Sequence, residues 1–167
     1  MSLNETPSAN RIHIGFYGKR NSGKSSLINA FTGQQVAIVS DVAGTTTDPV
    51  YKPMEVHGIG PCVFIDTAGV DDVGELGKMR VEKTEKAAEK TDIAVLLFSG
   101  EEYQAELEWF HYFKEKHTPT LCVLSKADTL TDSDSIAAQL KEETKQEILV
   151  TVSYTHLRAH ETELHLV

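Results

Sequence analysis

Short apolar runs alternate along this chain with segments whose apolar residues recur at helical spacing. Short runs that are apolar or alternating predict strands, and apolar positions three and four residues apart predict amphipathic helices. The predicted strands cover residues 12–17, 50–57, 62–65, 93–98, 120–124 and 147–152. The predicted helices cover residues 24–32, 78–90, 102–116 and 136–145. This alternation predicts a three-layer α/β fold with a mostly parallel sheet of about six strands and one antiparallel edge strand.

The composition is that of one ordinary globular domain. The chain has 167 residues, of which 40% are hydrophobic and 25% charged, and its formal net charge is −9. This acidic balance makes nucleic acid an unfavoured partner, because phosphate neutralisation needs clustered Lys and Arg. Cys62 and Cys122 lie in separate apolar runs, which predicts buried free thiols and neither a C-x-x-C metal site nor a disulfide framework. Without a signal-like or membrane-spanning apolar stretch, we expect a cytoplasmic protein with no membrane partner.

The most specific motif follows the first predicted strand. Residues 18–25 read Gly-Lys-Arg-Asn-Ser-Gly-Lys-Ser, the G-x-x-x-x-G-K-[ST] pattern of a phosphate-binding P-loop, and a predicted helix comes next. In this pattern backbone amides turn toward phosphate oxygens, Lys24 reaches the outer phosphates, and the Ser25 hydroxyl binds magnesium. The positive end of the helix dipole lies under the phosphates. We therefore predict a nucleoside triphosphate site that includes Ser22, Gly23, Lys24, Ser25 and Ser26.

Two more motifs follow strand ends further along the chain, Asp66-Thr67-Ala68-Gly69 and Ser125-Lys126-Ala127-Asp128. Asp66 can hold a magnesium-bound water, and the Gly69 amide can approach a γ-phosphate without a side chain in the way. Lys126 can cover a base, while Asp128 can accept two hydrogen bonds from guanine that adenine cannot donate. The alternatives are a helix-capping carboxylate at Asp66 and a solvated loop acid at Asp128, but neither explains why the motifs share a placement.

In this order the motifs resemble those of GTPases, which implies a P-loop NTPase G domain that binds GTP or GDP with Mg²⁺. Gly44-Thr45-Thr46-x-Asp48 resembles the TrmE-Era-EngA group. That resemblance implies that Thr46 contacts magnesium, with Thr45 as the next candidate, and that Asn21 helps to hold a K⁺ ion. Such a cation would stabilise charge developing between the β- and γ-phosphates; alternatively, Asn21 serves turn geometry. The candidate catalytic residues are Lys24, Asn21 and Thr46.

Two positions depart from common GTPase patterns. Val70 stands where many small GTPases carry a water-orienting glutamine, so we expect slow intrinsic hydrolysis. The acids Asp71, Asp72 and Glu75 are candidates for orienting water, and no one of them is favoured. Ser125 stands where asparagine is usual, so we expect a shortened or lost side-chain bridge between the P-loop and the base site, and weaker nucleotide affinity.

A closer resemblance covers residues 11–152. The stretches 18–30, 37–55 and 65–77 together resemble the HydF family, which assists maturation of the iron-only hydrogenase active site. The resemblance implies a switch role, with other maturation proteins and the hydrogenase as partners. It also implies a GTPase domain followed by dimerisation and iron-sulfur cluster domains, neither of which fits in this chain. Because no cysteine follows Cys122, we expect no iron-sulfur cluster here, and any oligomer would form through segments absent from the chain.

We therefore expect a flexible leader over residues 1–10, a G domain over residues 11–153 and an atypical tail of suspected non-native origin over residues 154–167. In the tail, His160-Glu161 begins an H-E-x-x-H pattern that fails at Leu164, so a makeshift solvated helix is favoured over a metal site. Two other functions stay open. The domain could be a GTP-dependent binding module whose hydrolysis is incidental, or an RNA- or ribosome-associated GTPase, against which the acidic charge speaks.

Overall fold

A computed structural model of the chain describes residues 11–19, 22–32, 49–67, 75–151 and 164–166, with backbone alone at 31–32, 75–81 and 164–166. The described strands form one sheet and consist of β1 Ile12–Gly18, β2 Val50–Val56, β3 Gly60–Asp66, β4 Ile93–Phe98, β5 Thr120–Leu124, β6 Ile148–Thr151 and β7 Leu164–Leu166. The described α-helices are α1 Lys24–Thr32, α2 Glu75–Glu89, α3 Gln104–Glu115 and α4 Ser133–Thr144. None of these helices has the length and apolar content that a membrane crossing requires.

The order of strands across the sheet is β2-β3-β1-β4-β5-β6-β7. β3, β1, β4, β5 and β6 run parallel, and β2 pairs antiparallel with β3 at one edge. The register places Phe16 of β1 beside Asp66 of β3, and Gly18 beside Leu97 of β4. The carboxyl ends of β1, β3, β4 and β5 therefore meet at one end of the sheet, where open α/β sheets bind ligands.

Alternate residues of the central strands face opposite layers, as the pleat of a strand requires. One face of the sheet packs on α1 through Leu27 and Ile28, and Phe16 and Phe64 lie in this cluster. The other face packs on α2, α3 and α4, and Tyr17 lies there with Phe113. The predicted three layers are thus confirmed, and β4 is buried on both faces as its continuous apolar run predicts.

The predicted boundaries differ from the observed ones mainly at helix starts. α2 begins at Glu75 and α4 at Ser133, each three residues earlier than predicted. For α4 the reason is an N-cap: the Asp132 carboxylate accepts a hydrogen bond from the Ser135 amide at 3.1 Å, which extends the helix ahead of its first apolar residue.

The predicted helix in the tail is wrong at residues 164–166. These residues form β7, which pairs antiparallel with β6 and places Leu166 beside Leu149. The alternation Leu164-His165-Leu166 has the period of a strand, and the outer edge of β6 offers it backbone partners. The sheet therefore has a second antiparallel pair, in addition to the predicted edge strand β2.

Candidate nucleotide site

The P-loop connects β1 to α1 and depends on glycine at two described positions. A Cβ at Gly18 would lie 2.8 Å from both the Leu97 carbonyl oxygen and Ser22 Oγ, closer than side-chain atoms approach. Gly23 has a φ of 97°, a conformation that favours glycine. Its carbonyl accepts from the Leu27 amide at 2.8 Å, so the helix begins directly after the loop. The helix N-terminus therefore faces the space where phosphates would bind.

The Lys24 ammonium lies inside this loop, and the residue is only 7% exposed. Its Nζ donates to the Lys19 carbonyl at 2.7 Å and to the Gly18 carbonyl at 3.0 Å, with a longer contact of 3.4 Å to Ser22 Oγ. An ammonium has three donors. The two carbonyls hold the charge inside the loop, and the third contact is longer than either of these.

Ser25 and Asp66 form the second part of the site. Ser25 Oγ donates to Asp66 Oδ2 at 2.8 Å, which joins the first turn of α1 to the end of β3. Thr67 Oγ1 donates to the Phe16 carbonyl at 2.6 Å and fixes the chain directly after Asp66. Among the described residues the Asp66 carboxylate accepts from the Ser25 hydroxyl, while the helix-capping alternative involves residues outside the described ones and stays open.

Burial raises the pKa of Asp66 above its ordinary value, while the hydrogen bond from Ser25 and the positive charge of Lys24 act in the opposite direction. Among the described residues, no three or more His, Cys, Asp or Glu side chains lie close enough together to hold a metal ion by themselves. A hydroxyl beside a carboxylate is nevertheless the kind of oxygen pair that suits Mg²⁺, which commonly completes its coordination with waters and phosphate oxygens. Ser25 and Asp66 thus fit the predicted magnesium site.

Ser125 does make the bridge that was expected to be shortened or lost. Its Oγ donates to the Ser22 carbonyl at 2.6 Å, its amide donates to the Phe98 carbonyl at 2.8 Å, and the residue is 3% exposed. The bridge therefore persists in a short form, because β5 ends close enough to the P-loop for a serine to reach it. The predicted weakening of nucleotide affinity rests on bridge length and stays a prediction.

Lys126 and Asp128 lie in the turn that follows. Lys126 has a φ of 54°, rare for a residue with a side chain, and its carbonyl accepts from the Thr129 amide and hydroxyl at 2.9 and 2.7 Å. The Lys126 Cε lies 3.9 Å from the position that a Gly23 Cβ would take, so its side chain passes over the P-loop. Asp128 is exposed within the 3₁₀ turn Ala127–Thr129. Lys126 is thus brought to the P-loop, while guanine binding by Asp128 stays a prediction.

Of the remaining predicted site residues, some lie among the described residues and others lie outside them. Ser26 is described and exposed on the first turn of α1. Asn21, Thr46 and Gly69 lie outside the described residues, together with Thr45, Val70, Asp71 and Asp72. Their predicted roles toward K⁺, Mg²⁺, the γ-phosphate and water stay predictions. Glu75 is the first residue of α2.

Contacts at Lys19 and Thr67 were not predicted. Lys19 Nζ lies 3.9 Å from a carboxylate oxygen of Glu106 and donates to the Glu102 carbonyl. Glu106 is completely buried. A signal for it exists in the sequence, because Glu106 falls on the same helical stripe as Leu107, Phe110 and Phe113, where an acid is unusual. The Thr67 contact has no comparable signal.

Comparison with known proteins identifies the domain. A family model described as a 50S ribosome-binding GTPase matches residues 13–126, which include the P-loop, Asp66 and Lys126. The chain belongs to this family. It is a GTP-binding GTPase domain.

Two curated relatives illustrate the family. The chain is 47% identical over 98 residues to the GTPase Der of Wolinella succinogenes, a match covering 57% of this chain and 20% of that protein. It is 37% identical over 129 residues to the tRNA modification GTPase MnmE of a Synechococcus strain, covering 75% of this chain and 27% of that protein. The chain thus spans about a quarter or less of the length of these relatives. They support the broader TrmE-Era-EngA resemblance, and the finer HydF assignment is not shown.

Solved structures of Era share the fold. Era of Aquifex aeolicus bound to GDP and AlF₄⁻ superposes with a TM-score of 0.70 at 24% identity, covering 84% of this chain and 50% of that one. Era in complex with MgGDPNP and nucleotides 1506–1542 of 16S ribosomal RNA gives a TM-score of 0.67 at 25% identity, with the same coverage. The predicted mostly parallel G-domain architecture is confirmed.

Proposed function

We propose that this domain binds GTP with Mg²⁺, hydrolyses it slowly, and acts as the nucleotide-controlled part of a longer protein that works on tRNA or on the ribosome. The observation that supports the nucleotide chemistry best is the contact of Ser25 with Asp66 at 2.8 Å beside the buried Lys24. This contact joins the P-loop and the motif that begins at Asp66 in one polar cluster. Phosphoryl transfer needs such positioned charge more than it needs covalent chemistry from the protein.

Each described side chain has a separate role in this proposal. Lys24, held on two carbonyls, presents positive charge to the outer phosphates without reorganising. Ser25 and Asp66 would hold Mg²⁺, Asp66 through a bound water. The ion, when bound, supplies positive charge that stabilises the transferring phosphoryl group. Ser125 ties the base-side loop to the phosphate side, so that base recognition and phosphate binding share one rigid frame.

The potassium and switch roles belong to this proposal too, and they rest on sequence resemblance alone. Asn21 would help to hold K⁺, and Thr46 and Gly69 would report the γ-phosphate. Val70, in the place of a glutamine, gives the reason for slow hydrolysis. Phosphate release should therefore be faster in KCl than in NaCl and should lose that difference in Asn21→Ala. Equal rates in both salts would remove the potassium assignment.

The association with RNA follows from relatives, among which are tRNA modification GTPases and an Era structure with ribosomal RNA. These relatives do not support the expectation that nucleic acid is an unlikely partner of the whole protein. A net charge of −9 still makes this domain by itself a poor ligand for RNA. The proposal therefore gives the domain the nucleotide-dependent control and not the RNA contact.

Hydrogenase maturation remains a second candidate function. The resemblance of the stretches 37–55 and 65–77 favours it, but none of the relatives named above supports it. Capture of partners by the chain loaded with a non-hydrolysable GTP analogue separates the candidates. Recovery of proteins that act on tRNA or on the ribosome favours the first, and recovery of hydrogenase maturation proteins favours the second. Capture that is unchanged in a variant unable to hydrolyse GTP would favour a binding module over an enzyme.

The direct test of the proposed function combines binding and turnover. A fluorescent GDP analogue should bind the chain, and GTP should be hydrolysed only with Mg²⁺. Lys24→Met should abolish hydrolysis, while Lys114→Met, at an exposed position on α3, should leave it unchanged. Asp128→Asn should move preference from GTP to xanthosine triphosphate, whereas Asp134→Asn should not. A chain that binds ATP and GTP equally well would contradict the base assignment.

A further inference from the structure

A completely buried carboxylate lies beside the P-loop. Glu106, in the first turn of α3, has no exposed surface, and one of its carboxylate oxygens lies 3.9 Å from Lys19 Nζ. Lys19 belongs to the P-loop and keeps 22% of its side chain exposed. A buried acid is strongly unfavourable without a positive partner. The charge of Lys19 therefore explains how an acid is tolerated on the apolar stripe of α3.

Lys19 is attached to α3 at two points. Besides its ion pair with Glu106, its ammonium donates to the main-chain carbonyl of Glu102, directly ahead of the helix. The side chain of a P-loop residue is thus fixed to an element that is 83 residues distant in sequence. The number of contacts matters, because a lysine side chain held at one exposed contact would be mobile. Two contacts, one of them to a buried charge, hold the Lys19 side chain in one conformation.

The same residue also holds Lys24. The Lys19 carbonyl accepts from Lys24 Nζ at 2.7 Å, the shortest of that ammonium's three P-loop contacts given above. The contacts therefore run from the Glu106 carboxylate to the Lys19 side chain, and from the Lys19 carbonyl to the Lys24 ammonium. Releasing the Lys19 side chain would leave the carbonyl on which Lys24 rests less firmly held, and a misplacement of about 1 Å can cost about 10²-fold in rate.

We propose that Glu106 is a positioning residue for the P-loop, which acts through Lys19 to fix Lys24 and to hold the Lys19 ammonium toward α3. With Lys19 held there, Lys24 alone presents its charge to the outer phosphates. This inference rests on the proposed function, because the phosphates belong to the bound guanine nucleotide. It also makes the start of α3 a place where a change in structure alters nucleotide binding without touching the nucleotide.

The test compares Glu106→Gln and Lys19→Met, alone and together, with two matched controls. Glu108→Gln removes an acid from the exposed face of the same helix, and Lys114→Met removes an exposed lysine. Affinity for the fluorescent GDP analogue and the kcat and KM for GTP are measured on the 167-residue chain. Each test variant should weaken GDP binding by about tenfold, which corresponds to about 1.4 kcal/mol. The double variant should bind GDP no more weakly than the single variant that binds it more weakly. Lys19→Arg should keep most of the GDP affinity that Lys19→Met loses.

A merely structural pair would lower the resistance to urea and leave kcat, KM and GDP affinity unchanged, and that result would overturn the proposal. Losses that add in the double variant would also overturn it, since residues acting through one another are not additive. If Glu106→Gln does not fold, Lys19→Met decides alone, and binding equal to that of Lys114→Met would refute the positioning role. A wild-type chain that does not bind GDP would instead refute the proposed function.

Discussion

Removing the hydroxyl of Ser125 tests whether the short bridge from the motif at residues 125–128 to the P-loop supports both the stability of the fold and nucleotide binding. In Ser125→Ala the donor of a 2.6 Å hydrogen bond to the Ser22 carbonyl is lost, while the backbone bond from residue 125 to Phe98 remains. The strand end therefore keeps its backbone hydrogen bond, and the substitution removes the bridge together with a longer contact of 3.4 Å from Ser125 Oγ to the Phe98 carbonyl.

The magnitude follows from burial. Ser125 is 3% exposed and Ser22 is completely buried. A protein hydrogen bond contributes about 0.5–1.5 kcal/mol net, and leaving a buried carbonyl without its donor costs about 1–3 kcal/mol. We therefore expect the free energy of unfolding to fall by about 1–3 kcal/mol. For a domain of this size, each kcal/mol lowers Tm by about 2–4 °C.

Urea unfolding of the nucleotide-free chain measures the stability term, and titration with the fluorescent GDP analogue measures the effect on the site. The matched control is Ser135→Ala, which removes an exposed serine hydroxyl from α4. GDP affinity should fall by up to about tenfold, which corresponds to about 1.4 kcal/mol. The proposed preference for guanine should persist, because Asp128, its proposed determinant, is unchanged.

The reasoning fails if Ser125→Ala is as stable as Ser135→Ala within about 0.5 kcal/mol, the usual range for surface substitutions. It also fails if GDP affinity is unchanged while stability falls, because the bridge would then support the fold and not the nucleotide site. Ser125→Asn addresses the predicted cost of the short side chain: tighter GDP binding than wild type would support it, and equal or weaker binding would refute it.

Three further outcomes are expected. Gly15→Ala should lower the free energy of unfolding by about 1–3 kcal/mol in urea, because its Cβ would lie 2.6 Å from the Tyr17 ring and 2.7 Å from Thr91 Oγ1. Burial raises the pKa of the Cys122 thiol from 9.0 to about 12. The unfolded chain therefore loses this proton first, and stability should fall by up to about 1.4 kcal/mol per pH unit between those values, a slope that Cys122→Ala should reduce. Asp66→Asn should stabilise the metal-free chain, because burial disfavours the carboxylate, and should weaken Mg²⁺-dependent GTP binding by about tenfold or more.

Much of the fold could be predicted because its elements follow from local periodicity. β4 is a continuous apolar run, and α3 carries Leu107, Phe110 and Phe113 at helical spacing, so each pattern has one physical interpretation. Ser25 and Asp66 were both predicted as magnesium ligands, and their contact fits that prediction, because the carboxyl ends of the parallel strands β1 and β3 meet at one end of the sheet. These predictions needed only the direction of each strand and no distance.

The features that escaped prediction depend on distances between elements that are remote in sequence. Whether Ser125 reaches the Ser22 carbonyl depends on the distance between the end of β5 and the P-loop, so residue type could predict a shortened or lost bridge without deciding between the two. β7 depends on an open edge of β6, which no local pattern reveals. Sequence motifs thus indicate which chemical groups are present, while tertiary packing decides which of them touch.

Glu106 lies between these two cases. Its place on the apolar stripe of α3 is visible in the sequence and already indicates that a positive partner must lie opposite, because an unpaired buried carboxylate is too unfavourable. What the sequence does not contain is which cation fulfils that need, since the chain has 16 lysine and arginine residues. The packing of α3 beside the P-loop brings Lys19 to Glu106. Because the Lys19 carbonyl also accepts from Lys24, the buried acid of α3 is connected through Lys19 to the phosphate-binding lysine. An acid on the buried stripe of a helix next to a nucleotide loop is therefore a feature to search for in other sequences of this family.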